Sequence, residues 1–259
     1  MKLKLIGKYG GFFKRRETVV CGGKCQKPKR VGIYGGKFDP PHVGHLMCAE
    51  MTREAFDLDL VLFVTSAVPP HKSTGVLDAA IRHQMVQAAV APNCFFEACD
   101  LELKREGPSF TLDTVRQVHE IYGPDTEVFL LMSSEYLDPD FDWNLSHWHD
   151  VEHLFGLCTL LVFPGRGHTI AMAEEWGKLL PQARIAYLDF CPAPPVSSSL
   201  IRSRIAEGKS VWYMVLPEVW QIIRDRKLYG LIAPRRSSNR RKFWNSVSAA
   251  WRSLKNRLS

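Results

Sequence analysis

The sequence predicts an α/β fold: a doubly wound, mostly parallel sheet with helices on both faces. Three observations carry this expectation. Six short apolar runs are continuous rather than alternating, as strands buried on both faces require. Between them lie stretches with apolar residues at helical spacing, the alternation of parallel crossover units. The first run ends in a glycine turn leading directly into a helix, the place where open α/β sheets bind ligands.

The first strand is expected over Val31–Tyr34, followed by Gly35-Gly-Lys-Phe-Asp-Pro-Pro-His-Val-Gly-His45. Gly35 and Gly36 let the backbone turn tightly and approach an anion without a Cβ in the way. Phe38 can anchor the turn in the core, and Asp39 before Pro40-Pro41 favours a turn that continues as neither helix nor strand. Leu46, Ala49, Met51 and Phe56 then predict a helix over Val43–Phe56. His42 and His45, three residues apart, can face one side of its first turn. Free N–H groups and the positive end of the helix dipole lie there too, which suits phosphate.

The later strands are expected at Leu60–Thr65, Phe95–Cys99, Val128–Met132, Leu160–Phe163 and Ile185–Leu188. Helices are expected at Asp78–Val90, Leu112–Ile121, His147–Phe155, Ala171–Leu180, Ser199–Glu207 and Pro217–Arg226. No internal repeat is visible.

The chain's 259 residues suffice for one good-sized domain with tails. The formal charge of +7 hides an asymmetry. Residues 1–30 carry ten Lys/Arg and one acid, and residues 231–259 carry eight Lys/Arg and none. The middle, 31–230, holds 16 basic and 26 acidic residues, a charge of −10. The basic balance belongs to the tails, so no nucleic-acid partner is expected for the core. The expected organisation is a basic N-terminal extension (1–30), one α/β domain (31–230) and a basic C-terminal tail (231–259). In the tail, Phe243, Trp244, Val247, Trp251, Leu254 and Leu258 recur at helical spacing among Arg and Lys. Such a basic amphipathic helix suits an anionic membrane surface or a partner groove, or it folds back on the acidic core of the same chain or of a homo-oligomer mate. No apolar run approaches the ~20 residues of a membrane span, and no signal-peptide h-region follows Met1. The odd count of seven cysteines fits reduced thiols in a cytoplasmic protein, and the Cys21/Cys25 pair has no second zinc-ligand pair nearby.

A second constellation is Val196-Ser-Ser-Ser-Leu-Ile-Arg202. Serines at a helix start offer N-capping oxygens and free N–H donors, with Arg202 in the first turns as a second anion clamp. Together with the first loop this resembles the HxGH nucleotidylyltransferases, which transfer a nucleotidyl group from a nucleoside triphosphate and release pyrophosphate. The intervening stretches Val68-Pro-Pro-His-Lys72, Arg82 to Met85, Leu103 to Thr114 and Leu216 to Gly230 resemble the bacterial nicotinate-mononucleotide adenylyltransferases.

The resemblance implies a Rossmann-like domain of NAD biosynthesis that transfers AMP from ATP to nicotinate mononucleotide. It implies ATP contacts from Gly35, Gly36, Lys37, Phe38, His42, His45, Glu135, Ser198, Ser199 and Arg202, with Mg²⁺ arriving on the ATP. His42, His45, Lys72 and Arg202 would be the catalytic donors. Asp39, Lys72, Ser109, Phe110, Thr111, Asp113 and a ring-stacking tryptophan would hold the mononucleotide, with Trp148 preferred to Trp143. The alternatives are nicotinamide mononucleotide or another phosphorylated acceptor, and a paralogue that binds nucleotides with little turnover. Lys37 replaces a short residue of the family's loop, and Ser133-Ser-Glu135 stands where the family has Gly-x-Asp. His149-Asp-Val-Glu-His153 matches a zinc-peptidase pattern, but a solvated helix face with His147 explains it better.

Overall fold

The strands are β1 (Arg30–Gly36), β2 (Leu60–Thr65), β3 (Phe96–Cys99), β4 (Glu127–Ser133), β5 (Thr159–Phe163) and β6 (Ile185–Tyr187). They form one sheet in the order β3-β2-β1-β4-β5-β6, every neighbouring pair parallel. The computed structural model describes residues 28–67, 76–165, 167–189, 191 and 194–231. The helices are α1 (Val43–Ala55), α2 (Ala79–Val90), α3 (Thr111–Tyr122), α4 (Val151–Leu157), α5 (Ile170–Gly177), α6 (Ser198–Ala206) and α7 (Pro217–Asp225). Strand order reverses between β1 and β4, opening a crevice at their carboxyl ends.

The continuous apolar strands serve two cores. Along β2, Val61 and Phe63 join one layer while Leu62 and Val64 join the other, and none is more than 2% exposed. Leu62, Val64, Leu130 and Val162 pack with Leu112 and Val115 of α3, Phe155 of α4 and Ala173 of α5. On the opposite face, Val61, Phe63, Leu131 and Phe163 pack with Ala49 of α1 and Val86 of α2. A third cluster joins Met85 of α2 to Ile201 and Ile205 of α6 and Val219 and Ile223 of α7. Each fully buried aliphatic side chain of this kind stabilises the fold by about 1.5–3 kcal/mol.

Helix starts follow their capping residues. Asp78 accepts from Ala80 and Ile81 N–H at 2.9 and 3.2 Å, Ser197 from Leu200 N–H at 3.0 Å, and Pro217 opens α7. One expectation needs correction. The helix read over His147–Phe155 begins only at Val151, because Asp150 adopts a left-handed conformation with φ of 51°. Residues Leu145–His147 instead make a 3₁₀ turn capped by Asn144. His149 therefore lies off the helix that carries His153, and the zinc-peptidase pattern loses its shared face. Among the described residues no group of three His, Cys, Asp or Glu side chains could hold a metal ion.

Among the described residues no helix is long and apolar enough to cross a membrane. Cys48, Cys99, Cys158 and Cys191 are thiols. The Val68–Lys72 stretch and most of both basic tails lie outside the described residues.

Candidate active site

The loop after β1 is held from beneath by Arg82, a guanidinium only 1% exposed on an otherwise apolar face of α2. It donates to the carbonyls of Lys37 (2.7 Å), Ser66 (2.7 Å), Ala67 (3.1 Å) and Leu77 (2.8 Å). One side chain thus ties the glycine loop to the end of β2 and the start of α2. Burial lowers the Arg82 pKa, opposed by the charges of Asp39 and Asp78. Above it Phe38, with φ of 47°, turns its ring inward against Tyr34, His45 and Phe63 at centroid distances of 5.1–5.7 Å. A Cβ on Gly36 would stand 3.0 Å from that ring and would push it back by a few tenths of an ångström, so glycine lets the loop close most tightly over it.

His42 is the N-cap of α1 and His45 is its third residue. Each caps the other's backbone: His45 N–H donates to His42 Nδ1 at 3.3 Å, and His42 N–H donates to His45 Nδ1 at 3.1 Å. This is a capping box made from two imidazoles, their rings stacked 3.6 Å apart. Because each Nδ1 accepts, the proton of each neutral ring sits on Nε2, leaving two N–H donors on the opposite ring edges. Gly44 makes the arrangement possible, since a Cβ there would come within 3.1 Å of both His42 Nδ1 and Val196.

The start of α6 packs directly on this loop across some 160 residues of sequence. Ser198 Oγ donates to the Pro40 carbonyl at 2.8 Å, and Arg202 Nη1 donates to the Asp39 carbonyl at 2.7 Å. Arg202 Nη2 reaches Ser199 Oγ at 3.3 Å. Asp39 is the knot between them. Its carboxylate accepts from the Tyr229 hydroxyl at 2.7 Å and from Leu77 N–H at 3.4 Å, and stands 4.0 Å from Arg202. Burial, then the bonded Asp39, pushes the Tyr229 hydroxyl far up, so it stays a donor. Asp39, expected at the mononucleotide, is 5% exposed with its carboxylate given to protein partners.

The third wall is the end of β4. Ser134, fully buried, accepts from Gly165 N–H at 2.7 Å and lies 3.3 Å from His168 Nδ1. Any Cβ on Gly165 would collide with Ser133 and Ser134 Oγ and with Glu135. Glu135 is half-buried on the first turn after β4, capped by Ser133 Oγ at 3.4 Å.

The other expected residues gather at the start of α3. Phe110 is its N-cap without a side-chain cap bond, Thr111 opens the helix and Asp113 lies in the first turn, with half-buried Ser109 just before. The Phe110 ring stacks on His149 at 4.3 Å. Behind it, Thr114 Oγ1 donates to the buried Glu102 carboxylate at 2.9 Å, and burial raises the Glu102 pKa. Trp148 is half-buried edge-on to Tyr136 and donates from Nε1 to the Trp143 carbonyl at 3.2 Å, whereas Trp143 is 39% exposed. Lys37 is exposed at the tip of the first loop, between Gly36 and Phe38. Lys72 lies outside the described residues.

Arg82, Tyr229 and Ser134 entered the sequence reading only inside longer stretches (Arg82 to Met85, Leu216 to Gly230 and Ser133-Ser-Glu135), with no role of their own. Arg82 left a further signal, a lone charge in register with Met85, Val86 and Ala89 on a buried helix face.

The cytidylyltransferase-like family model matches residues 33–204. A probable nicotinate-nucleotide adenylyltransferase of Shouchella clausii is 39% identical over 203 residues, covering 78% of this chain and 97% of that protein. A probable enzyme of the same name from Desulfitobacterium hafniense strain DCB-2 is 36% identical over 204 residues, covering 78% and 96%. The fold is also that of the Plasmodium falciparum nicotinic acid mononucleotide adenylyltransferase complexed with NaAD, with a TM-score of 0.64 and 17% identity over 79% of this chain and 98% of that one.

Proposed function

The chain belongs to the cytidylyltransferase-like family and is a nicotinate-nucleotide adenylyltransferase, and on that premise we propose how its residues divide the work. The reaction transfers AMP from ATP to nicotinate mononucleotide. An oxygen of the mononucleotide 5′-phosphate attacks the α-phosphorus, the bond to the bridging β-phosphate oxygen breaks, and pyrophosphate leaves. No protein nucleophile is needed, so the protein's task is to position two anions and stabilise charge on the leaving group.

The observation that carries the assignment is the reciprocal capping of His42 and His45. It spends both Nδ1 atoms on the backbone and presents both Nε2–H groups as donors at a helix N-terminus. Those donors would meet phosphate oxygens, each worth about 2.7–4 kcal/mol of transition-state stabilisation. Arg202, Ser198 and Ser199, locked to the same loop, would hold the triphosphate with Gly35, Gly36, Phe38 and the ammonium groups of Lys37 and Lys72. Glu135 would accept from the ATP ribose. Ser109, Phe110, Thr111 and Asp113, with Trp148 or Trp143, would hold the mononucleotide, and Asp39 would shape its side of the loop. The nucleotide would arrive as its Mg²⁺ complex. With no metal-binding cluster among the described residues, the ion's ligands would be phosphate oxygens and water, and its charge would offset that of the triphosphate. The catalytic unit would be residues 31–230, with the basic segments outside it.

Pyrophosphate release from ATP, measured with nicotinate and then with nicotinamide mononucleotide, tests the reading. Turnover is expected with nicotinate mononucleotide as the better substrate. ATP binding without turnover on either would overturn it.

A further inference from the structure

Two cysteines bridge the elements that carry the two halves of the triphosphate clamp. Cys48 lies on α1, three residues after His45, and Cys191 lies on the segment leading from β6 into α6. Their sulfurs are 3.4 Å apart, the Cys191 thiol donating to Cys48 Sγ. Cys48 is 7% exposed in the apolar layer with Tyr34, Phe63 and Leu161, whereas Cys191 is half-buried. The Tyr34 ring stands edge-on to His45 at 6.2 Å. Burial raises the pKa of its hydroxyl, and so do Cys48, Tyr136, Cys191 and Glu135, so these groups surround one spot at the carboxyl ends of β1 and β4.

We propose that Cys48 and Cys191 form a redox modification site, in which a peroxide joins them as a reversible disulfide that arrests adenylyl transfer. The Cys191 sulfur attacks one peroxide oxygen, the O–O bond breaks, and the thiol proton leaves with the departing oxygen as water. The Cys48 sulfur then attacks Cys191 Sγ, the S–O bond breaks, and the hydroxyl leaves with the Cys48 proton as a second water. Two thiols and one hydrogen peroxide thus give one disulfide and two waters.

Closing 3.4 Å to a disulfide length of about 2.05 Å moves the two sulfurs together by more than 1 Å and ties α1 covalently to the α6 approach. If that tie displaces the His42/His45 turn or the start of α6 by about 1 Å, the cost in rate is on the order of 100-fold. The effect on turnover rests on the adenylyltransferase reading, while formation of the disulfide does not.

The experiment treats the full chain with hydrogen peroxide, alkylates the remaining thiols, maps linked peptides and assays pyrophosphate release. A Cys48–Cys191 linkage, an activity loss of tenfold or more, and recovery with dithiothreitol are expected. Cys191→Ser, with Cys191→Ala alongside it, is expected to keep its activity under the same peroxide. Absence of that linkage, full activity in the linked protein, or equal peroxide sensitivity in both variants would each overturn the proposal. Untreated protein without turnover would instead count against the adenylyltransferase reading, and the peptide map would still decide the site.

Discussion

In the proposed mechanism His42 and His45 each work through opposite ring nitrogens, Nδ1 holding the helix start and Nε2 donating to phosphate. The two functions can be separated by substitution. Asparagine is among the best N-caps, so His42→Asn keeps an acceptor for the helix while removing the reach of Nε2. A fall in kcat of about 10²-fold with little change in stability is expected. Normal turnover in the folded variant would take His42 out of the chemistry. His45→Ala should cost at least as much turnover and about 1 kcal/mol of stability besides, because the His42 N–H loses its acceptor. Paired urea titrations and steady-state assays distinguish these outcomes.

At the scale of elements, Arg82 ties the loop after β1 to the end of β2 and the start of α2 through four carbonyls. Arg82→Met preserves bulk but leaves four carbonyls without their donor. A destabilisation of about 3–5 kcal/mol in urea unfolding is expected, since breaking a buried charged network costs that much. A loss below 1 kcal/mol would mean that water replaces the guanidinium. At the start of α3, burial raises the Glu102 pKa, so folding favours its protonated form. Stability from this residue is full below the unfolded carboxylate pKa and is lost as pH rises through the higher folded value. Glu102→Gln keeps an acceptor for Thr114 and should flatten that slope, leaving the variant more stable than the parent at neutral pH. Urea midpoints across pH 4–7.5 check this, and parallel slopes in the two proteins would refute it.

These elements also show how far the sequence was legible. All six strands were readable because a sheet covered on both faces needs unbroken apolar runs, and both clamp motifs lie at helix starts marked by local capping chemistry. The helix over His147–Phe155 misled because its spacing is helical while Asp150 turns left-handed, a choice made by tertiary packing. Tyr229 gains its role through Asp39, 190 residues away, a partner that no local pattern reports.

For the whole molecule, charge is divided between parts. The full chain carries +7, whereas residues 28–231 hold 18 basic and 26 acidic residues, a charge of −8. The sheet, both clamp motifs and the acceptor-side residues all fall within that span. If the basic segments serve an anionic surface, affinity and catalysis are separable. Each surface-bound Lys or Arg contributes about 1 kcal/mol near an anionic membrane, and salt screens the attraction over about 10 Å. The full chain should therefore sediment with vesicles containing phosphatidylserine at low salt and be released at high salt. A chain of residues 28–231 should stay in solution while keeping kcat/KM within about threefold of the parent, since no transition-state donor described here is lost. Equal sedimentation of both chains would place the binding surface on the domain. Loss of turnover in the shorter chain would draw the tails into the active site or the fold.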